Sequence, residues 1–150
     1  MASVRDVRGL SLSGAAAPWR RACPRETGPL HVDGREIPTR ALAEGLAWFD
    51  FDALCEGPRA AADYIEIACE FHTLLLGGIP VFDARRDDAA RRFITLVDEL
   101  YDRHVNLVCT ADAPPPALYA GERLAAAFER TSSRLIEMRS AEYLALEHRG

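Results

Sequence analysis

Apolar positions in the second half of the chain form short continuous runs, separated by stretches with helical spacing. Residues 46–51 and 105–110 are such runs, and residues 72–76 form a third, which two glycines (77–78) stop before residues 79–82 continue it. Nearly continuous apolar runs of this length are typical of strands that are buried on both faces of a parallel sheet. The pattern therefore predicts three strands in this region.

Helical spacing appears between these strands. Gly57-Pro58 is expected to open the first helix, since the N–H that proline lacks has no partner at the first helical position. Asp87 or Asp88 can cap the second helix, which is expected to run to about His104. The predicted buried stripe of the first helix is Ala61, Tyr64, Ile65 and Ala68, and the apolar face of the second is Phe93, Leu96, Val97 and Leu100.

A helical tail is predicted after the third strand. Beyond Leu118 there is no proline, and only Gly121 interrupts a helical stretch that extends to Glu147. The alternation of elements predicts an α/β fold, in which a strand–helix–strand–helix–strand unit forms a mostly parallel sheet and carries a helical C-terminal tail. The apolar line of the tail is Leu124, Phe128, Leu135 and Met138.

The N-terminal part of the chain has a different pattern. Serine, glycine and proline interrupt every apolar period in residues 1–28, which predicts a poorly structured segment. Order is expected to begin with a hairpin, in which residues 30–32 and 35–37 flank an Asp-Gly turn. The predicted organisation is one domain, residues 29–150, preceded by this segment.

Composition excludes several classes of function. A formal net charge of -5 argues against a nucleic-acid-binding protein, which relies on basic residues to neutralise phosphates. No run approaches the roughly 20 apolar residues of a membrane span. All 18 basic residues are arginine. The chain therefore contains neither the lysine of a P-loop nor a lysine for Schiff-base chemistry.

The cysteines and histidines are scattered, with no C-x-x-C or H-E-x-x-H spacing. We therefore predict reduced cysteines that pack as small apolar residues, and no metal site. The cysteines are Cys23, Cys55, Cys69 and Cys109.

The most highly charged segment is the predicted second helix, whose polar residues fall on two stripes. They form either a solvated face with ion pairs of about 0.2–0.5 kcal/mol each or a face turned towards a phosphate or a neighbouring subunit. The first stripe is Arg91, Thr95, Asp98 and Asp102, and the second is Arg92, Glu99 and Arg103.

The tail carries a second group of arginines, with Glu129 and Glu137 as available partners. The planar guanidinium group fits phosphate and carboxylate, so surface pairing and anion binding are both open. No complete catalytic set is present, and an unrelated small hydrolase using Asp98 or Asp102 is a third alternative. The arginines are Arg123, Arg130, Arg134 and Arg139, the first three of which would share a face on one continuous helix.

Several separate sequence motifs occur in unbroken order along the chain. They are FDFDALCEGPR (49–59), DYIEIA (63–68), FHTLLL (71–76), IPV (79–81), ARRFI (90–94), LVDELYD (96–102), FERTSSRLIEM (128–138) and SAEYL (140–144). Through these motifs, residues 30–148 resemble the C-terminal part of the ZapE/AFG-type family of AAA ATPases.

The resemblance implies a piece of a P-loop enzyme that binds and hydrolyses ATP with Mg²⁺ and acts in bacterial cell division. The Walker A and Walker B motifs of the family precede the matched region and do not occur here. The chain alone is therefore expected to be inactive and to need no cofactor, as a C-terminal fragment, a truncated gene model or a product of gene decay.

The same resemblance implies partners and a location. The expected partners are the missing N-terminal ATPase half or a full-length homologue, and proteins of the division site. We expect a bacterial cytoplasmic protein at that site, with peripheral membrane association and without nucleic acid. The alternative is a stand-alone regulatory module that binds the full-length ATPase or a division-site partner.

Family resemblance also suggests candidate residues near the nucleotide of the complete protein. An arginine from the C-terminal region can stabilise the charge on a transferring phosphoryl group. Asp112 follows the strand at residues 105–110, where a polar sensor is expected. The candidates are Arg91, Arg92, Arg130, Arg134 and Asp112.

Overall fold

The computed structural model of the protein describes residues 25–26, 30–32, 35–56 and 60–148. The predictions of a poorly structured segment at residues 1–28, of an Asp-Gly turn and of a helix opening at Gly57-Pro58 fall largely outside these ranges. Within them, Arg25–Glu26 form strand β1 and pair with a second strand, so the prediction is wrong at these two residues.

A mixed five-stranded sheet has the order β1-β4-β5-β6-β7. Strands β5, β6 and β7 run parallel to one another, as predicted. Strand β4 is antiparallel to both β5 and β1, so a mostly parallel sheet is wrong for this side. The cause is a two-residue turn at Glu44-Gly45, where Gly45 has a φ of +76° and reverses the chain. The bounds are β4 Ala41–Ala43, β5 Leu46–Asp50, β6 Thr73–Ile79 and β7 Asn106–Ala111.

The predicted hairpin forms a separate two-stranded sheet. Strands β2 (Leu30–Val32) and β3 (Arg35–Ile37) pair in antiparallel fashion, which confirms the prediction for the strands. Five helices complete the described chain. They are α1 Phe51–Cys55, α2 Ala61–Glu70, α3 Asp87–Asp102, α4 Ala125–Glu137 and α5 Ala141–Leu144.

Strand β6 does not stop at its glycines. The strand continues through Gly77 and Gly78 to Ile79, because a shift of register after Leu76 lets the backbone keep its pairing with β7. The run predicted to follow the glycines, residues 79–82, does not continue as a strand to its end. Phe82 forms only an isolated bridge.

The predicted strand at residues 46–51 is one residue too long, because Phe51 begins the short helix α1. The buried stripe predicted for α2 is also partly wrong. Tyr64 and Ala68 are buried, but Ala61 is exposed and Asp63 is buried instead. The Asp63 carboxylate accepts a hydrogen bond from the backbone N–H at the start of the helix, which orients the first turn.

Helix α3 has the predicted apolar face, since all four residues of that face are buried. The predicted cap is wrong, because Asp87 and Asp88 lie inside the first turn of the helix. Asp83 caps the preceding 3-10 turn, Ala84–Arg86, by accepting the Arg85 N–H at 3.0 Å.

The tail consists of two helices rather than one. The Ser140 Oγ accepts the Tyr143 N–H at 3.1 Å and starts α5 as a new helix. The predicted apolar line of the tail is buried throughout, which confirms its orientation.

Aromatic rings fill the space between the sheet and the helices. We call Phe51, Phe82, Phe93 and Phe128 the aromatic cluster; the centroid of Phe82 lies 5.5 Å from that of Phe93 and 5.7 Å from that of Phe128. Alternate residues of the strands belong to a smaller apolar cluster, to which no described helix contributes. Its buried members are Leu46, Leu75 and Val108.

Candidate functional site

The two adjacent arginines of α3 have different surroundings. Arg92 is half-buried, and its Nη1 donates to the Cys55 carbonyl oxygen at 3.2 Å, which ties α3 to α1. Arg91 is exposed, and no described residue forms an ion pair with it. Only Arg91 of this pair can therefore reach outward without losing a contact.

The tail arginines contact α3 along a line that we call the α3–α4 seam: Asp98, Tyr101, Arg130, Arg134 and Glu137. Nη1 of Arg134 lies 2.5 Å from Oδ1 of Asp98, and its guanidinium carbon lies 4.8 Å from the Tyr101 ring centroid. Nη2 of Arg130 lies 3.6 Å from Oδ2 of Asp98. One carboxylate therefore holds two arginines, one closely and one loosely.

Arg130 and Arg134 also differ in their solvent exposure. The side chains of Arg134 and Asp98 are each 27% exposed, whereas that of Arg130 is 60% exposed. Glu137, expected to pair with an arginine, instead accepts the Tyr101 hydroxyl hydrogen, and this bond raises the pKa of Tyr101. Arg123 precedes α4, so the predicted face shared by three tail arginines is wrong.

Asp112 lies just beyond β7. Its backbone N–H donates to the Ile79 carbonyl oxygen at 2.9 Å, and its side chain is exposed. No described contact joins Asp112 to any of the four candidate arginines. The structure thus brings Arg130 and Arg134 together on Asp98 and leaves Arg91, Arg92 and Asp112 apart.

The three described cysteines, Cys55, Cys69 and Cys109, form no disulfide. Burial raises the pKa of Cys55 to about 12, so its thiol stays protonated at neutral pH and is a poor nucleophile. Within the described ranges, no three His, Cys, Asp or Glu side chains are placed to hold a metal ion. No described helix is both long and apolar enough to cross a bilayer.

Sequence reasoning missed a cleft of about 470 Å³ at the carboxyl ends of β5, β6 and β7. Nε of Arg40 lies 2.7 Å from Oδ1 of Asp50, and its guanidinium carbon lies 5.7 Å from the Trp48 ring centroid. The available signal was the FDFD motif, in which Asp50 lies near the end of a predicted strand and Asp52 directly follows it. We call this surface the carboxyl-edge cleft. Its lining is Arg40, Trp48, Asp50, Phe51, Asp52, Gly77, Gly78 and Thr110.

Comparison with known proteins gives a consistent result. A family profile described as AFG1-like ATPase matches residues 17–147. The cell division protein ZapE of Escherichia coli K12 is 42% identical over 125 residues, which is 83% of this chain and 33% of that protein. Lactation elevated protein 1 homolog B of Danio rerio is 32% identical over 146 residues, covering 76% of this chain and 29% of that protein.

An uncharacterized protein of Schizosaccharomyces pombe is 34% identical over 106 residues, which is 67% of this chain and 23% of that protein. No solved structure matches the chain. The chain spans a third or less of the length of these relatives. Because the profile covers nearly all of its residues, the chain belongs to the AFG1-like ATPase family.

Proposed function

We propose that this chain is the C-terminal region of an ATP-hydrolysing protein and that it does not hydrolyse ATP by itself. The observation that carries the proposal is the absence of lysine from all 150 residues, since a P-loop needs a lysine to reach the β- and γ-phosphates. ATP and Mg²⁺ would then be bound by the rest of the protein, where the Walker A and Walker B motifs of the family lie.

The carboxyl-edge cleft supports the proposal that ATP is bound by the rest of the protein. Ligands of open α/β sheets bind at the carboxyl ends of the strands, yet here the lining carries Asp50, Asp52 and a single guanidinium. That guanidinium already pairs with Asp50. A triphosphate would meet a surplus of negative charge, so the cleft is a poor cradle for ATP.

As part of this proposal, Arg91, Arg92, Arg130, Arg134 and Asp112 are candidates for contact with the nucleotide of the complete protein. The contacts within the chain favour a positioning role for Arg92 and Arg134, because each is half-buried and hydrogen-bonded. Arg91 and Arg130 have the greater exposure and are the better candidates for reaching a phosphate.

A role in bacterial cell division follows from the similarity to ZapE of E. coli, which is named a cell division protein. We extend this role to a cytoplasmic protein at the division site. Proteins of that site would be its partners, and its contact with the membrane would be peripheral.

A chimera tests the proposal. The stretch of E. coli ZapE that aligns with this chain is replaced by the 125 matching residues, and steady-state ATP hydrolysis is measured beside unmodified ZapE. We expect the chimera to hydrolyse ATP at a comparable rate. A folded chimera without ATP turnover would contradict the proposal, because the region would then not serve in such an enzyme.

The same chimera tests the arginines. Replacing Arg91 or Arg130 by alanine should lower ATP turnover by more than about threefold, because a guanidinium near the phosphates stabilises the transition state. Arg123→Ala is the matched control, since Arg123 is exposed and lies outside the seam. Equal turnover in all three variants would remove Arg91 and Arg130 from the nucleotide site.

A further inference from the structure

The carboxyl-edge cleft has the shape and the charge of a site for a cation. It opens where three parallel strands end, the usual location of ligand sites in α/β sheets. Gly78 has a φ of +79°, and a Cβ built on it would meet no atom within 4 Å. No side chain therefore fills the cleft at this position.

Arg40 shows how the cleft holds a guanidinium group. Its Nε binds the Asp50 carboxylate at 2.7 Å, and its planar head lies over the indole ring of Trp48 at 5.7 Å. A carboxylate beside an aromatic face suits arginine better than lysine, because the guanidinium is planar and weakly hydrated.

The second carboxylate of the cleft, that of Asp52, does not hold a guanidinium group of the described chain. Asp52 is exposed, and no described cation lies within ion-pairing distance of it. The cleft thus carries two carboxylates against one guanidinium. A second cation would be attracted, and a phosphate or carboxylate ligand would be repelled.

We propose that the carboxyl-edge cleft binds an arginine side chain presented by a partner protein, with Asp52 as the carboxylate that receives it. The incoming guanidinium enters beside Arg40 and competes with it for Asp50 and for the ring of Trp48. The proposal is independent of ATP hydrolysis and concerns the chain as it stands.

Titration with a tetra-arginine peptide, followed by NMR on the Gly78 and Thr110 amide signals, tests the proposal. We expect saturable shifts confined to the cleft. Asp52→Asn should weaken binding by about threefold or more. Arg40→Gln should tighten it, because the substitution frees Asp50. Asp102→Asn is the matched control, which removes the same charge from an exposed site at the far end of α3, and it should leave the affinity unchanged.

Three results would overturn the proposal. The first is the absence of saturable shifts at the cleft. The second is equal weakening by Asp52→Asn and Asp102→Asn, since binding would then follow net charge alone. The third is an equal affinity for spermidine, which carries positive charge but no guanidinium group. Unchanged melting temperatures of the variants confirm that loss of binding is not loss of fold.

Discussion

The aromatic cluster and the α3–α4 seam both join helices of the same molecule, but they do so by different physics. In the cluster, Phe82 and Phe93 are fully buried and their centroids lie 5.5 Å apart. In the seam, Asp98 and Arg134 remain 27% exposed. Burial of apolar area stabilises strongly and without direction, whereas a half-exposed ion pair adds little stability but fixes which turns face each other.

The largest expected effect is the loss of a ring from the aromatic cluster. Phe93→Ala leaves a cavity between α3, the sheet and α4, and should lower the free energy of unfolding by about 3–5 kcal/mol. Urea denaturation followed by circular dichroism measures the change. Ile136→Ala on α4 is the control, because Ile136 is 45% exposed and should change stability by less than about 0.5 kcal/mol.

Tyr143 stacks on Tyr101 of the seam, with ring centroids 5.8 Å apart. Its buried hydroxyl lies 3.1 Å from the Leu100 carbonyl oxygen and 2.8 Å from that of Val105. Tyr143→Phe leaves these carbonyls without that donor and should cost about 1–3 kcal/mol in unfolding free energy. A loss no larger than that of Tyr101→Phe, which removes an exposed hydroxyl, would show that the buried bonds contribute nothing extra.

At alkaline pH, a buried thiol with a raised pKa should affect the stability of the fold. Burial raises the pKa of Cys55 from 9.0 to about 12, so the folded state holds this proton more tightly than the unfolded state. The stabilisation is complete below pH 9 and is lost as the pH rises from 9 towards 12.

The free energy of unfolding should therefore fall by about 1.4 kcal/mol between pH 8 and pH 10 on account of Cys55. Denaturation curves of the wild type and of Cys55→Ala measure this difference. The alkaline fall should be smaller in Cys55→Ala, whereas Cys69→Ala should keep it. An identical fall in Cys55→Ala would contradict the assignment.

The smallest effect is expected at the seam. Asp98→Asn removes the charge that faces both Arg130 and Arg134, and should cost only about 0.2–1 kcal/mol. Salt should reduce the difference between wild type and variant, since screening weakens exposed ion pairs. Thermal melts at low and high salt measure it, and a cost as large as that of Phe93→Ala would erase the distinction between the two regions.

Helical periodicity predicted the buried faces of α3 and α4 because a single face of each helix meets the core. The same logic failed for α2, where the buried polar residue is Asp63. Its carboxylate accepts a hydrogen bond from the start of the helix, and apolar spacing does not encode such a bond.

Local sequence also misjudged β6. Glycines usually mark a turn, but here Gly77 pairs with Asp50 of β5 and pairing with β7 resumes at Ile79, so both glycines stay within the strand. The sequence identified the candidate arginines from their residue type, but it did not identify the side chains with which they pair. Asp98 meets Arg134 across 36 positions of sequence, and only the packing of two helices brings these side chains together.

ATP hydrolysis by the purified chain tests the central claim most directly. Phosphate release is measured with saturating ATP and Mg²⁺, beside a protein-free blank and the ZapE chimera. The account predicts no turnover by the chain alone and clear turnover by the chimera. Mg²⁺-dependent hydrolysis by the chain itself, saturating with ATP and following the protein through two chromatographic steps, would contradict it.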